Sequence, residues 1–385
     1  MKHSTNGILV THTGSLPRPP VLLGLMLAKE QGDTVEPDVL DAAVRQAIAE
    51  VVKHQADVGI TLINDGEQSK PSYATYMKDR LHGFGGEQAT TSNFGTGALA
   101  QDFPEFYANR PRLSIRRPSC DGPVSWKDFS AVQKDIENFK TALGERSVED
   151  AFMSAASPGV IPVFLPNGYY PTDEAYLYAL ADVMQQEYEA IAQAGFTLQL
   201  DCPDLAMTRG NLTIEAFRKV VSLHLEVLNY AVRNIPPEHM RMHVCWGNSA
   251  APHHRDPELK DLIDLLLTAR PSALSFVGAN PRHEHEWSVW RDVRLPEGKV
   301  IIPGVVDSTT NIIEHPDLVA ERLVRYANVV GRENVIAGTD CGFGTSVREN
   351  PLVDPRIAWA KLQSMAEGAR RATRQLWGSA ASSGR

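Results

Sequence analysis

Short apolar runs alternate with longer amphipathic stretches along almost the whole chain, and this alternation constrains the fold more than any other feature. Runs suited to strands lie at 7–12, 60–63, 160–165, 197–200, 240–245, 273–277, 300–302 and 335–337. Helical spacing recurs at 37–58, 173–194, 213–234, 257–269, 283–290, 316–330 and 355–375. In the first helix Leu40, Val44, Ile48, Val51 and Val52 share a face, and Gly59 follows as a C-terminal cap. Most strand runs are apolar on both faces, as parallel strands covered by helices must be. Eight such units predict a (β/α)8 barrel of the α/β class, one domain spanning 1–385. The competitor, a doubly wound open sheet, lacks its Gly-rich dinucleotide fingerprint after every strand.

The pattern breaks from about residue 68 to 158, where Gly83-Phe84-Gly85-Gly86 and aromatic residues interrupt it. This stretch reads as an insertion between the second and third strands that covers an active site. A hairpin strand is expected at Leu113-Ser114-Ile115 and a helix within 125–143. The tail from Gly378 onward is small and polar and is expected to fray.

A formal charge of -9 and the lack of a long basic run argue against a nucleic-acid surface. No apolar stretch is long enough to span a bilayer, and Met1-Lys2-His3-Ser4 does not open an apolar signal core. The expected compartment is the cytoplasm. In that setting Cys120, Cys202, Cys245 and Cys341 are expected to be thiols or metal ligands rather than disulfides.

Chemistry concentrates in Met240-Arg241-Met242-His243-Val244-Cys245-Trp246-Gly247-Asn248. On a strand, His243 and Cys245 point to the same face. An imidazole and a thiolate together suit a borderline-soft cation such as Zn2+. Cys341, after the last apolar run, is the best candidate for a third ligand. In a barrel, residues following strand ends gather at one mouth. They include His12 and Ser15, Asp65 and Glu67, Asn167, Asp201 and Cys202, Asn280, Asp307 and Ser308, and Asp340. Glu67 and Asp201 are candidates to hold an ammonium group or to act as acid and base; helix capping and a rim ion pair are the plainer alternatives. Trp246, Tyr73, Tyr76, Tyr169 and Tyr170 are candidate pocket aromatics.

Taken together, several segments are familiar: Thr11-His12-Thr13-Gly14-Ser15-Leu16-Pro17-Arg18, Asn64-Asp65-Gly66-Glu67, Leu200-Asp201-Cys202-Pro203, His243-Val244-Cys245, Ala279-Asn280-Pro281-Arg282, Pro303-Gly304-Val305-Val306-Asp307 and Thr339-Asp340-Cys341-Gly342. With them the chain resembles the catalytic barrel of cobalamin-independent methionine synthase, and still more its single-barrel relatives, which include epoxyalkane:coenzyme M transferase. The resemblance implies zinc held by His243, Cys245 and Cys341. It implies that Ser15, Glu67 and Asp201, with His12 beside them, bind the amino-acid part of a homocysteine-like thiol. Zinc activates the thiol, which attacks an alkyl donor.

Two departures accompany it. Val277 stands where the synthases carry a glutamate ligand, leaving either an open position or a substitute such as Glu284. Ser308-Thr309-Thr310 follow Asp307, where the synthases have a histidine. The expected partners are a small thiol and an alkyl donor, with no nucleic acid and no membrane; a homo-oligomer is compatible with the sequence. The leading expectation is a zinc-dependent methyl- or alkyltransferase. An epoxide:thiol transferase or C–S lyase on the same site is the alternative. A non-catalytic zinc barrel that binds a methyl-carrier protein is a third class, and a porphyrin-type decarboxylase barrel a remote one.

Overall fold

The computed structural model describes residues 1–88, 96–108, 117–347 and 351–378. In chain order the elements are β1 (Leu9–Val10), α1 (Pro20–Gln31), α2 (Pro37–Val58) and β2 (Leu62–Ile63). Then come α3 (Ser130–Leu143), β3 (Asp150–Ala156), α4 (Asp173–Gln193), β4 (Thr197–Asp201), α5 (Ile214–Ala231) and β5 (Met240–Val244). The chain ends with β6 (Ala273–Phe276), β7 (Val300–Val306), α6 (Pro316–Val330), β8 (Ile336–Thr339) and α7 (Pro355–Trp377). The strands pair in parallel in the order β1-β8-β7-β6-β5-β4-β3-β2, the expected barrel. At the remaining seam, β1 and β2 meet through Thr61. Its N–H donates to Val10 O at 3.0 Å, and its hydroxyl accepts from Val10 N at 2.8 Å.

Register sets the level of the inward side chains. Ala156 pairs with Asp201, Asp201 with His243, and His243 with Ser275. Because side chains alternate in a strand, Gln199 and Asp201, and likewise Arg241 and His243, face the same way in successive layers.

The helices form for ordinary reasons. Pro37 pre-sets the first turn of α2, and its buried face comprises Val44, Ala47, Ile48, Val51, Val52 and Gln55. Gly59 ends it at φ 92°, with Ile60 N–H returning to Gln55 O. Thr172 caps α4 and Thr213 caps α5 through their hydroxyls. One helix, α1, is not assigned from sequence: its run Val21-Leu22-Leu23-Gly24-Leu25-Met26-Leu27-Ala28 is almost wholly apolar, so no stripe announces it, although only Leu22 and Met26 are buried.

The structure corrects the third strand. Residues 160–165 form not a strand but the short helix Ile161–Phe164, begun at Pro162 and its neighbours. The strand is β3, inside the stretch assigned to the insertion; Asp150-Ala151-Phe152-Met153-Ser154-Ala155-Ala156 has little intrinsic β preference and is held by pairing with β4. The helix foreseen within 125–143 is α3, which packs on α2 as a barrel helix. The expected helix at 257–269 is broken into the 3-10 turn Leu259–Asp261 and the short α-helix Ile263–Leu266, and that at 283–290 is the tighter 3-10 helix Glu284–Arg291, none capped by a side chain.

The part of the insertion that leaves the barrel is a hairpin of Leu81–Gln88 and Pro118–Trp126, with Thr96–Asp102 and Pro104–Ala108 as short helices. Gly83 is required there, since at φ 90° a Cβ would lie 2.7 Å from Gly122 O. Trp126 Nε1 donates to Val183 O on α4 at 3.0 Å and pins the hairpin to the barrel. The strand expected at Leu113-Ser114-Ile115, and the tail after Gly378, lie outside the described residues. Among the described residues no helix is long and apolar enough to cross a membrane.

Thr61→Val removes the acceptor for Val10 N–H at the seam. We expect a loss of about 1–2 kcal/mol, the cost of one unmet backbone donor, read as a lower midpoint in urea with the slope unchanged.

Candidate metal and thiol site

β5 delivers His243 and, just beyond its end, Cys245 to the barrel mouth; the turn after β8 delivers Cys341. All three are buried. One ligand atom from each lies within 4.8 Å of the others. The two sulfurs stand 3.6 Å apart, too far for a disulfide, and every described cysteine is a free thiol. The Cys245 and Cys341 sulfurs share a hydrogen bond, which pulls Cys245 well below the ordinary thiol range and pushes Cys341 well above it. Gly247 N–H, 3.2 Å from the Cys245 sulfur, adds to the stabilisation of a thiolate. His243 Nδ1 lies 3.2 Å from Ser275 Oγ, and its buried Nε2 has no hydrogen-bond partner among the described residues. A nitrogen left open beside two thiols is the arrangement a metal-binding imidazole needs.

The opposite wall is acidic. Glu67 and Asp201 are buried, 2% and 5% exposed. Burial raises the pKa of both, and each is raised further by a neighbouring carboxylate: Asp201 by Glu67, Glu67 by Asp65. Gln199 Nε2 donates to Asp201 Oδ1 at 2.8 Å, whereas Glu67 Oε2 has no partner among the described residues. Glu67 also sits at φ 55°, a strained backbone for a side chain of its size. Asp65 Oδ1 holds that turn by accepting Glu67 N–H at 3.0 Å. Lys70, buried nearby, donates to Ser154 O.

Ser15 lies beside Cys341. A Cβ on Gly342 would fall 1.9 Å from Ser15 Oγ, so glycine is what lets the two loops touch. His12 is elsewhere: it does not line the cavity. Its Nε2 donates to Gln55 Oε1 at 2.8 Å and its Nδ1 accepts Gly14 N–H at 3.2 Å. Burial lowers its pKa to about 4, so the ring is neutral and shapes the loop that carries Ser15.

The cavity, about 290 Å³, brings together Ser15, Glu67, Asp201, His243, Cys245 and Cys341. Of the aromatic candidates Trp246 and Tyr73 line it. Tyr76 instead donates to Glu187 at 3.0 Å, Tyr170 accepts Val124 N–H at 3.0 Å, and Tyr169 is exposed. Glu284 is not a substitute ligand; it pairs with Arg322 at 3.1 Å. Val277 is buried and offers no donor atom. Sequence reasoning missed Arg209, His253, Arg255 and Asp256, which form the outer wall. The signal was the polar run His253-His254-Arg255-Asp256 past Gly247, beyond the strand end where polar residues were sought. Among the described residues, His253 and Glu67 are the only non-glycine residues at positive φ, and both line the cavity. His253 Nδ1 bonds Asp256 at 2.7 Å, and Asp256 also meets His283 at 3.2 Å.

No protein-family model matches the chain. It is 24% identical over 367 residues to a methionine synthase of Thermococcus kodakarensis, covering 94% of this chain and 93% of that protein. It is 24% identical over 370 residues to a methionine synthase of Pyrococcus furiosus, covering 94% and 92%. Among solved structures it superposes on a B12-independent methionine synthase from Shewanella sp. W3-18-1 in complex with selenomethionine. The TM-score is 0.73 at 18% identity, covering 96% of this chain and 99% of that one. A methyltransferase from Methanosarcina mazei matches with a TM-score of 0.54 at 12% identity, covering 95% and 94%. The solved structures share the barrel fold.

Because the folded pKa values of Glu67 and Asp201 are raised, the pair costs nothing below the ordinary carboxylate range. Its cost grows as pH rises above that range, where the unfolded carboxyls ionise freely and the buried pair resists ionisation. Asp201→Asn removes one of the two like charges. We expect the ligand-free variant to be more stable than wild type by about 1–3 kcal/mol at pH 8, with the difference vanishing near pH 4. Urea titrations across that range read it directly.

Proposed function

We propose that this chain, a single-barrel relative of the cobalamin-independent methionine synthases, is a zinc-dependent transferase that alkylates a small thiol of the homocysteine type. One observation carries the reading: His243, Cys245 and Cys341 converge within 4.8 Å on a cavity whose other wall holds Glu67 and Asp201. The donor set fits zinc, with two sulfurs and an imidazole nitrogen that has no hydrogen-bond partner among the described residues. Zinc held there supplies Lewis acidity that lowers the pKa of a thiol and keeps it a nucleophile at neutral pH.

The rest is work for the chain's own groups. Glu67 Oε2 and Asp201 accept the ammonium of an amino-acid thiol, which converts a repelling pair of acids into a paired one. The substrate's cation favours their ionised forms, so binding lowers the pKa values that burial has raised. Ser15 and the Gly14 turn, held by His12, face the carboxylate end. Pinned at ammonium and carboxylate, the substrate has few orientations left for its sulfur, and this alignment supplies rate without further chemistry. Trp246, against the Cys245 turn, keeps water from the nucleophile.

A second reading concerns the electrophile. The hydroxyl of Ser308 donates to Asn248 at 2.9 Å, so this loop offers no imidazole to protonate a departing amine. That favours donors needing less acid assistance, and thiol addition to a strained epoxide, or C–S cleavage, on the same site is the alternative.

Purified protein is expected to hold about one zinc per chain, with Cys341→Ser reducing this to a trace. Asp201→Asn is expected to keep the zinc and weaken homocysteine binding by about 10–100-fold, the worth of a charged hydrogen bond, while barely affecting a thiol that lacks an amino group. Metal analysis and calorimetry check both. No zinc after metal-replete expression would sink the reading. Product analysis with methyl donors against epoxides assigns the electrophile, and turnover with either dismisses a non-catalytic carrier-binding barrel.

A further inference from the structure

The insertion contributes more than a wall. Between residues 99 and 108 only Leu99 is buried, 9% exposed, and it lines the cavity. Most of the other side chains there face solvent, with Phe103 at 45% and Phe106 at 42% exposure. Helices as short as Thr96–Asp102 and Pro104–Ala108 have little stability of their own, so contacts with the barrel decide where the segment lies.

The contacts of Asp102 and Phe103 meet on the loop that follows β5. The Asp102 carboxylate takes the Arg255 guanidinium in a two-pronged grip, through Nη2 at 2.5 Å and through Nε. It also bonds His254 Nε2 at 2.8 Å. Phe103 sets its ring edge-on against His254, with centroids 5.0 Å apart. Arg255 is tied in turn to the turn after β4: its Nη1 reaches Asn211 at 3.3 Å, and its carbonyl accepts from Arg209 at 3.2 Å. The insertion is thus fastened to the loop whose first residue is Cys245.

We propose that residues 99–108 form a lid over the cavity and that Asp102 is its latch, a positioning residue acting through Arg255 and His254. Leu99 is the one buried side chain among residues 99–108, and ion pairs this exposed are individually weak and screened by salt. Closed and open forms therefore lie close in free energy, as substrate entry and product release require. The lid is argued from packing alone. Only its purpose, shielding an activated thiol from water, rests on the proposed function.

The test places a reporter on the inner face. In the full-length chain, Leu99→Cys is labelled with iodoacetamide, alone and combined with Asp102→Asn or Asp102→Glu, and labelled peptides are quantified by mass spectrometry. Asp102→Asn is expected to speed labelling at position 99 by about tenfold, a modest shift suited to exposed ion pairs. Asp102→Glu is expected to restore most of the slow rate, and high salt to move the parent protein toward the Asn variant. Cys120 and Cys202, buried and outside the cavity lining, serve as internal references and should not change. Equal labelling at position 99 with Asp102 and with Asn would overturn the latch. A parallel rise at Cys120 and Cys202 would overturn it too, by showing general loosening. Neither readout needs metal, thiol or turnover, so failure here is separable from failure of the proposed function.

Discussion

Everything at the mouth depends on the parallel register of β3 to β6. Asp201 stands opposite His243, and His243 opposite Ser275, because the backbone ladders fix them there. A slip of one residue would turn His243 outward under the helices and put Val244 in its place. The ladder is itself secured from inside the barrel. Arg241, one layer below His243, donates to Thr11 Oγ1 at 2.9 Å and to His12 O at 2.7 Å, so the strand carrying two of the candidate ligands is stitched to β1 and its turn. Gln199 does the same for β4, donating both to Thr13 O and to Asp201.

These stitches are polar groups buried in a barrel core, and their cost shows in where they stay unmet. Arg241 Nε, Gln199 Oε1, Glu67 Oε2 and His243 Nε2 all lack a partner among the described residues. The last two line the cavity, where a ligand or metal would reach them. Two carboxyls that repel each other, and a thiol pair sharing a proton, add to the strain stored there. Such a site lowers stability in exchange for a pocket that already has the charge pattern of its occupant. The two non-glycine residues at positive φ, Glu67 and His253, fall on the same rim, which fits a scaffold whose conformational cost is gathered at one end.

Much of this was legible in the sequence, for identifiable reasons. Parallel strands buried on both faces read as apolar runs, and the residue after each run is the one a barrel brings to its mouth. That logic led from His243 and Cys245 to Cys341, Glu67 and Asp201. It failed where a strand is held by its neighbours rather than by its own composition: Met153, Ser154 and Ala155 in β3 give no β signal, while Val160 and Ile161 give a strong one and begin a helical turn. It also failed where the cavity lining comes from past the first turn. His253 and Arg255 come eight and ten residues beyond Cys245, and only the folded loop returns them to the cavity. His12 shows the converse. It was expected to bind substrate, yet the neighbouring helix, through Gln55, claims its ring and it lies outside the cavity lining.

The β1–β8 seam has a further consequence in time. Leu9 pairs with Ile336 and Val10 with Ala337, so β1 finds its ladder partner at the far end of the chain. During synthesis the strands from β3 onward can pair with a neighbour already made, whereas β1 waits for the last strand to emerge. Until then the barrel is an open sheet with unpaired edges at β1 and β7, the condition under which chains associate wrongly. The β1 edge is only two residues long, which limits how well a stray strand can add to it. A permuted chain whose ends lay elsewhere on the barrel would form this seam early and leave a different one for last.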